Sequence, residues 1–529
     1  MRTAVLLFLF ALMVRLVLVA TFADPAYPDS FYYVDAARSL AAGHGFSVDF
    51  VWIFAELGGT LPANPVLPIA SFGHWMPLAS LVQMPFIWLL GPTAFASALP
   101  FAICGALAAP IARGIALEAG ASRCVALGAG ILAAVPALAT PFMAQPDNFG
   151  LYEPLVAAAL WMAARGLNGH PRSYALAGLL VGFATLARND GVLVGAAVGL
   201  AFAWDRWRAW RSGGTRRPAI PIWAAVACAG LFVLVVAPWL ARQLAVLGTL
   251  SPSTASGKVL FIRNIGEWDS ITTPATLQHL LGQGIGPLLL SRVNGLLAAV
   301  TIFSVLVGGV LLAPFMVLGA WRRRHSRDFG PFLAYAAILF AFSAIVSAVH
   351  VPGGTFIHSA VALAPAAFVL ALEGVAAAVA WIAARRRAWD RVTAERVFIA
   401  AAVGFAVVVG IAGSITTQAA WAGRRDDFQS VGAALDAAGA PASDRVMSID
   451  ASGAEYWTGH GGVVLVNDPL GTVQQVARAY DIRWLVLDRA DSVQAVAPIL
   501  ATGQGSSINL AVFPVCTRAG DTRCGASTP

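Results

Sequence analysis

The sequence predicts an all-α polytopic membrane protein with about 11 transmembrane helices, followed by a small C-terminal extracytoplasmic α/β domain. Hydrophobic residues make up 58% of the 529 positions and charged residues only 12%, against about 25% charged residues in soluble proteins. Apolar runs long enough to span a bilayer recur along the chain. Beyond residue 417, short β-rich runs alternate with helical patterns, which is typical of an α/β domain. This composition excludes a soluble enzyme and a disordered chain.

Eleven apolar runs are predicted to be membrane spans. The first, at 4–22, is expected to be a retained signal anchor rather than a cleaved signal peptide, because so many spans follow it. The run at 77–90 has 14 residues, which is short for a span and fits a half-embedded helix within a first outer loop, 23–92. The remaining runs lie near 93–116, 121–141, 150–165, 173–187, 190–205, 219–241, 292–320, 331–350, 357–383 and 397–417.

The distribution of charge predicts the orientation of these spans. The net charge of +7 comes largely from Arg clusters between apolar runs, at 206–217, 322–327 and 385–396. Such clusters mark cytoplasmic loops, so no nucleic-acid partner is expected. The N-terminus is then cytoplasmic and the C-terminal domain extracytoplasmic, in a multi-pass protein of the plasma (inner) membrane. The predicted domains are a transmembrane body, 1–417, and an extracytoplasmic α/β domain, 418–529.

Carboxylates lie in two separate outer loops on the same side of the membrane. Asp29 begins an amphipathic stretch directly after the first span, and Asp147 lies in the second outer loop, 142–149. Glu153 stands at the start of the next apolar run, where a carboxylate is costly unless it has a role or a partner. One carboxylate could act as general base toward a hydroxyl or amine acceptor, and a second could orient that acceptor. The alternatives are a helix cap for Asp29 or Glu153 and a turn position for Asp147.

Cationic or titratable side chains on the same side could meet a phosphate. Arg188 interrupts a long apolar stretch at an outward-facing turn. Its guanidinium could bind a phosphate bidentately or could close the turn and extend to the lipid headgroups. His74 in the first outer loop and His358, next to the outer loop predicted at 351–356, lie at membrane edges. Both are candidates for substrate binding, and a structural role is the alternative for each.

The order of these features resembles the GT-C superfamily of integral-membrane glycosyltransferases, most closely its protein O-mannosyltransferase and aminoarabinose-transferase branch. The resemblance rests on three stretches of the sequence. They are PDSFYYVDAARSLAAGHGF at 28–46, the Gln-Pro-Asp at 145–147 and GLLVGFATLARNDG at 178–191. Their order and their predicted position on one side of the membrane carry the resemblance more than any one of them alone.

The resemblance implies a polyprenyl-phosphate sugar donor and an inverting transfer outside the cytoplasm. Asp29 matches the catalytic Asp of the family's first loop, although Ser follows it here where the family often has Glu. Asp147 matches the second-loop acid, with Glu153 as a rival for that role. Arg188 matches a basic position near the donor phosphate. His358 stands roughly where the family usually has an Arg-Tyr motif.

The sequence assigns no definite cofactor and leaves a divalent metal open. Some GT-C enzymes use such a metal, but the acids of the first loop show no clear ligand set. The expected partners are a polyprenyl-phosphate-linked sugar, membrane lipid and an acceptor that the sequence does not identify as protein, lipid or glycan. The rival function is a lipid or oligosaccharide transporter or flippase of the cell envelope. Transporters place polar groups at mid-membrane and often show duplicated halves, whereas these acids are predicted at the outer surface.

Overall fold

The structure is a computed structural model that describes residues 1–213, 215–250, 257–346, 355–386, 389–489, 493–502 and 510–515. The N-terminal part contains α1 (Arg2–Thr21), α2 (Pro28–Ala41), β1 (Ser47–Val48), β2 (Phe50–Val51), α3 (Ile53–Glu56), β3 (Ile69–Ala70) and α4 (Leu78–Leu90). There follow α5 (Ala94–Ala106), α6 (Ala108–Glu118), α7 (Arg123–Ala134), α8 (Phe149–Leu167), α9 (Pro171–Ala187), α10 (Val192–Arg211) and α11 (Ile222–Leu247).

The second half of the chain is helical up to residue 437 and then alternates strands with helices. Its helical part contains α12 (Ile265–Trp268), α13 (Leu277–Gly282), α14 (Ile285–Ile302), α15 (Ala313–Arg323), α16 (Gly330–Ala341), α17 (Thr355–Ala360), α18 (Ala364–Ala383) and α19 (Arg391–Ala437). The alternating part contains β4 (Arg445–Ser448), α20 (Ala451–Thr458), β5 (Gly462–Val464), α21 (Leu470–Ala479), β6 (Ile482–Asp488), α22 (Ala497–Thr502) and β7 (Leu510–Pro514).

Several helices of the described chain can cross a membrane, which confirms a multi-pass membrane protein. Six are long and apolar enough: Arg2–Thr21, Ala94–Glu118, Ile222–Leu247, Ile285–Val307, Phe356–Ala383 and Arg391–Ala437. A pair bent by 53°, Arg123–Ala134 with Ala137–Ala144, would add a seventh. α8, α9 and α10 follow the predicted spans at 150–165, 173–187 and 190–205, but α9 has only 17 residues and the other two contain charged side chains. The count of about 11 spans therefore stays a prediction.

The apolar run predicted near 292–320 is divided into two helices. α14 continues in π-helical form to Val307, and α15 begins at Ala313. Between them, Gly309 and Val310 have positive φ angles of 49° and 63°. Glycine adopts this conformation freely because it has no Cβ, so Gly309 permits the turn. An average of hydrophobicity along the sequence does not reveal this turn.

The main sheet combines the first outer loop with the C-terminal region. Its strand order is β2-β5-β4-β6-β7. β2 pairs parallel with β5 through Phe50 and Gly462, β4 lies parallel to both β5 and β6, and β7 is antiparallel to β6. A side chain at Gly462 would bring its Cβ within 1.7 Å of the Val446 carbonyl oxygen, so only glycine fits there. The domain boundary between 417 and 418 stays a prediction.

α19 joins the membrane-embedded helices to the sheet without a break. It has 47 residues. Its membrane part packs against the segment Ala137–Ala144, where a Cβ on Gly410 would lie 3.0 Å from the Ala137 carbonyl oxygen. Its last turns bury Phe428, Val431 and Leu435 in one cluster with Val446 and Val486 of the sheet. The same rigid element therefore contacts both the helix bundle and the sheet.

Candidate active site

Asp29 lies in the first turn of α2, at the end of a short connection from α1. Pro28 begins this helix, which suits the fixed φ of proline at the first helical position. The hydroxyl of Ser30 accepts the backbone N–H groups of Ala26 and Tyr27 at 2.9 and 3.0 Å. The side chain of Ser30, and not that of Asp29, therefore makes the capping hydrogen bonds at the start of the helix. The carboxylate of Asp29 is thus left to face the groups across the site.

Three predicted site residues come together from distant parts of the chain. Asp29 on α2, Asp147 before α8 and His358 on α17 each present one ligand atom, and these atoms all lie within 4.8 Å of one another. His358 Nε2 lies 2.9 Å from Asp147 Oδ2 and 3.7 Å from Asp29 Oδ2. The imidazole stacks on the ring of Phe149 with a centroid distance of 4.1 Å. We call these three residues the acid–histidine cluster.

Neighbouring donors hold the two carboxylates of the cluster. Trp75 Nε1 donates a hydrogen bond of 2.8 Å to Asp29 Oδ1, and the Trp75 ring stacks on Tyr32. The backbone N–H of Asn148 donates to Asp147 Oδ1 at 2.5 Å, and the Asn148 side chain donates to the Tyr33 hydroxyl at 2.6 Å. Tyr32 and Tyr33 belong to α2, so one helix both carries Asp29 and supports the residues around it.

The environments of the two carboxylates differ. The side chain of Asp29 is 29% exposed and that of Asp147 is fully buried. Burial raises the pKa of Asp29 above its ordinary value, against the opposing charge of His358. Burial alone would raise the pKa of Asp147 too, but His358 and the Asn148 amide outweigh it, and the pKa of Asp147 lies below its ordinary value. Paired carboxyls with pKa values pushed apart can take different roles in one reaction.

Arg188 lies beside the cluster, at the turn between α9 and α10. Its Nε is 3.1 Å from Asp190 Oδ1, and its side chain is 11% exposed. The Ser359 hydroxyl donates to the other oxygen of Asp190, so the Arg188 turn is held to α17 next to His358. The positive charge of Arg188 acts on both Asp29 and Asp147. Its guanidinium therefore supplies a positive charge beside the two acids.

His74 lies near the site. The sequence offers it as a residue that could meet a phosphate, but its ring is not charged. Its backbone carbonyl accepts a hydrogen bond of 2.9 Å from Asn189, and its ring contacts the rings of Trp75 and Trp268. Burial, and then the charge of Arg188, lower the pKa of His74 to about 4. The ring is thus neutral near pH 7 and brings no positive charge to a phosphate. Its role in substrate binding stays a prediction.

Glu153 is not brought into the acid–histidine cluster. It is completely buried in α8, and the charge that acts on it is that of Arg15 on α1. Arg15 in turn donates to the carbonyl oxygens of Ala134 and Ala133 at 3.1 and 3.4 Å. Both carboxylate oxygens of Glu153 are buried and have no hydrogen-bond partner among the described residues, so the charge of Arg15 acts on Glu153 without a direct ion pair. Glu153 is thus buried away from the three clustered residues, and its predicted substrate-binding role stays a prediction.

The fold that holds this site is similar to solved membrane-enzyme structures. The crystal structure of ArnT from Cupriavidus metallidurans bound to undecaprenyl phosphate aligns over 98% of this chain and 98% of its own, with a TM-score of 0.57 and 13% identity. The crystal structure of the Archaeoglobus fulgidus oligosaccharyltransferase in complex with Zn and sulfate aligns over 90% of this chain and 68% of its own, with a TM-score of 0.54 and 13% identity. The chain has the GT-C fold.

The resemblance to the GT-C superfamily drawn from the sequence is thereby confirmed at the level of fold. The apo state of the Cupriavidus ArnT aligns equally well, with a TM-score of 0.57 over 97% of this chain. The sequence itself matches no protein-family model and no curated protein. At this low identity, the roles of individual residues must be argued from their geometry in this chain.

The acid–histidine cluster has the composition of a metal site. Two carboxylates and one imidazole are donors that Zn²⁺ and Mn²⁺ accept. Asp29 and Asp147 each have one oxygen oriented by a neighbouring N–H group, as ligands in metal sites commonly have. The cluster could therefore hold a divalent cation, which agrees with the open metal assignment made from the sequence.

The sequence alone does not indicate several of the residues around this site. Asp190 holds Arg188, and Asn148 holds Asp147; each is close in sequence to the residue that it supports. Trp75 donates to Asp29 from a distant part of the first outer loop, and no local pattern in the sequence indicates this contact. The hydroxyls of Tyr152 and Tyr335, 3.2 Å apart, come from α8 and α16. Nothing in the sequence indicates that these two helices present them to each other.

Proposed function

We propose that this chain is a membrane glycosyltransferase that moves a sugar from a polyprenyl-phosphate donor to an extracytoplasmic acceptor, with inversion and with Asp29 as the base. The observation that carries the proposal is the convergence of Asp29, Asp147, His358 and Arg188 at one site of a GT-C fold. Two acids of different environment, beside a guanidinium, are the groups that a transfer from a phosphate donor requires.

The donor is bound through its phosphate. The positive charge of Arg188 acts on both acids, and a guanidinium matches the geometry of a phosphate. Charge grows on this phosphate as the bond to the sugar breaks, so a preorganised cation lowers the barrier. The presence of undecaprenyl phosphate in the similar ArnT structure supports a prenyl chain on that phosphate. The apolar helices around the site provide surface for such a chain.

The acceptor is activated by Asp29, because its carboxylate is the more exposed of the two. Asp29 takes the proton of an acceptor hydroxyl or amine, whose oxygen or nitrogen forms the new bond to the anomeric carbon. The bond between that carbon and the phosphate oxygen breaks, and the polyprenyl phosphate leaves with the electron pair. Attack from the face opposite the phosphate inverts the anomeric centre. Asp147 stays ionised and orients the acceptor together with His358.

A divalent metal, where bound, would be held by Asp29, Asp147 and His358. It would supply additional positive charge near the leaving phosphate. Trp75 and Asn148 orient the two carboxylates by hydrogen bonds. These two donors are not metal ligands, so they hold the carboxylates with or without a bound metal.

The experiment compares wild type, Asp29→Asn and Asp49→Asn in lipid, with a panel of polyprenyl-phosphate monosaccharides and with crude envelope extract as acceptor. Asp49 is a matched control in the same outer loop, paired with Arg445 at 2.6 Å. We expect Asp29→Asn to lower the turnover of the donor by about 10²- to 10⁴-fold and Asp49→Asn to stay near wild type. Correctly inserted Asp29→Asn protein with wild-type transfer would refute the role of Asp29. Donor binding without turnover in any protein would favour a lipid carrier.

A further inference from the structure

A groove opens at the end of the helix bundle opposite the acid–histidine cluster. It has a volume of about 810 Å³ and lies between α10 and the connection from α15 to α16. α10 starts at Val192, two residues beyond Asp190 of the active site, and Arg208 of the groove is near its other end. At 1.5 Å per residue, these two ends are about 24 Å apart. The groove is thus separate from the site that would transfer the sugar.

The walls of the groove change from apolar to basic along its length. Leu200, Leu333 and Ala334 line one part, and Arg208 and the segment 324–327 line the other. Trp204 and Trp207 lie between them; both are exposed, and their rings are 4.8 Å apart. Trp residues prefer the level of the lipid headgroups. An apolar wall, an aromatic border and a basic end follow the same order as the acyl chain, glycerol region and headgroup of a lipid.

The basic end lacks acidic partners of its own. In the described ranges, no carboxylate lies within 4 Å of the guanidinium groups of Arg208, Arg324 and Arg327. The two nearby acids are engaged elsewhere. Asp205 pairs with Arg216 and accepts the backbone N–H of Ile220, and Asp328 accepts hydrogen bonds from Asn168 and Ser326.

The cations of this end also repel one another. Desolvation, and then the charges of Arg216 and Arg208, lower the pKa of Arg327 below its ordinary value, and the charges of Asp205 and Asp328 offset this only in part. Arg324 donates to the Trp321 carbonyl oxygen at 2.7 Å and lies over the Trp321 ring, which holds its charge near the groove. An anion placed among these guanidinium groups would relieve the repulsion.

We propose that this groove binds the headgroup and one acyl chain of an anionic glycerophospholipid. Basic pockets between membrane helices on the cytoplasmic side bind such headgroups, and the distribution of Arg in the sequence predicts that this end is cytoplasmic. A free phosphate would use the basic end alone and would leave the apolar wall and the tryptophans exposed. The inference does not depend on the proposed sugar transfer.

The test measures lipid binding to the purified full-length protein by native mass spectrometry. The probes are palmitoyl-oleoyl phosphatidylglycerol, the matched phosphatidylcholine and undecaprenyl phosphate. The groove variant is Arg208→Gln/Arg324→Gln/Arg327→Gln. The control, Arg322→Gln/Arg385→Gln/Arg386→Gln, removes the same charge from exposed positions at the same end of the bundle. We expect wild type and control to bind one phosphatidylglycerol, and the groove variant to bind it on the order of 100-fold more weakly.

Three outcomes would overturn the proposal. They are equal binding of phosphatidylglycerol by both triple variants, equal binding of phosphatidylcholine by wild type, and preferential binding of undecaprenyl phosphate in the groove. A second variant, Ala334→Phe, keeps every charge and fills the apolar wall, so it decides the question if the triple variant fails to fold. We expect it to lose the bound phosphatidylglycerol, and retention with wild-type affinity would contradict the proposal.

Discussion

Trp75 determines which carboxylate oxygen of Asp29 faces His358. Its Nε1–H occupies Asp29 Oδ1, so Oδ2 is the oxygen that faces His358. The indole is itself fixed, because it stacks on Tyr32 at a centroid distance of 4.1 Å. The hydroxyl of Tyr32 in turn bonds Glu56 at 2.6 Å. A single carboxylate of the proposed active site is thus oriented by a chain of contacts that runs through the first outer loop.

Replacement of Trp75 by Phe should preserve the stacking and remove the hydrogen bond to Asp29. Because hydrogen bonds to charged groups are worth about 1.5–3 kcal/mol, we expect kcat for sugar transfer to fall by roughly tenfold or more, with the KM for the donor little changed. The measurement is steady-state transfer in lipid. Trp52→Phe is the control, since Trp52 Nε1 has no hydrogen-bond partner among the described residues. An equal loss in both variants would show a packing effect and not a positioning role.

Removal of the His358 imidazole should weaken metal binding to the acid–histidine cluster. We expect wild type to retain about one Zn²⁺ or Mn²⁺ per chain after dialysis, and His358→Ala to lose it. Inductively coupled plasma mass spectrometry measures the retained metal without reference to activity. His44→Ala, which removes an exposed histidine of the first outer loop, the loop that also holds Asp29, should retain the metal. Equal metal content in His358→Ala and wild type would show that this cluster is not the metal site.

The helix α2 contacts the helix bundle on one side and α20 on the other. Asp35 of α2 shares a hydrogen bond with Glu455 of α20, and Ser452 of α20 donates to the Pro28 carbonyl oxygen at 3.2 Å. Arg38 lies over the Tyr456 ring at 4.4 Å. Two carboxyl groups can share a hydrogen bond only when one of them carries a proton. The contact that holds the helix of Asp29 to the C-terminal region therefore depends on protonation.

This contact should lose stability as the pH rises. Burial, and then the charge of Glu455, raise the pKa of Asp35 well above its ordinary value, and burial also raises the pKa of Glu455. The folded state therefore binds more protons here than the unfolded state, so the contact is strongest below the unfolded pKa values of about 4. It weakens as the pH rises through the folded values. Arg38 opposes this trend and Asp450 adds to it.

Asp35→Asn tests this pH dependence, because an amide can donate to ionised Glu455 without a bound proton. We expect the thermal midpoint of the variant to vary less than that of wild type between pH 4 and 8, and to exceed it at pH 8 by at least about 2 °C. Thermal unfolding followed by intrinsic fluorescence gives both curves. Asp436→Asn, at an exposed position of α19, is the control. A wild-type midpoint that increases steadily with pH would contradict the assignment.

For the molecule as a whole, the cluster and the basic groove lie at opposite ends of the bundle, which makes the orientation testable. We expect a cysteine at Gly471, on exposed α21, to react with a membrane-impermeant maleimide in intact cells. A cysteine at Arg322 should react only after the membrane is opened. The background is a chain in which all five cysteines are replaced by serine. The reverse labelling pattern would invert the predicted topology and place the acids in the cytoplasm.

The sequence predicts correctly those helices that a local pattern determines. The amphipathic stretch predicted at 28–40 appears as α2, Pro28–Ala41, and the candidates Asp29, Asp147, Arg188 and His358 lie together. These four residues could be selected from the sequence because the charge distribution and the order of the spans predict that all four lie on the same side of the membrane. The pairing of Phe50 with Gly462 joins opposite ends of the chain, and no local pattern carries such information.

Other features depend on how helices rotate against one another. Glu153 was considered as a rival of Asp147 because the two are close in sequence. One turn of helix directs it toward Arg15 instead. Trp75 donates to Asp29 only because the first outer loop folds back over α2. Distances of this kind follow from tertiary packing, and apolar periodicity does not encode them.

α19 has a mechanical consequence for the site. A helix of 47 residues is about 70 Å long, and it runs without interruption from Arg391 to Ala437. A change in tilt of about 5° at one end would therefore displace the other end by about 6 Å. Gly410 of this helix touches the segment that leads to Asp147, and Phe428 is anchored in the sheet. The helix therefore couples the sheet mechanically to the segment before Asp147, and a displacement of the sheet would move that segment.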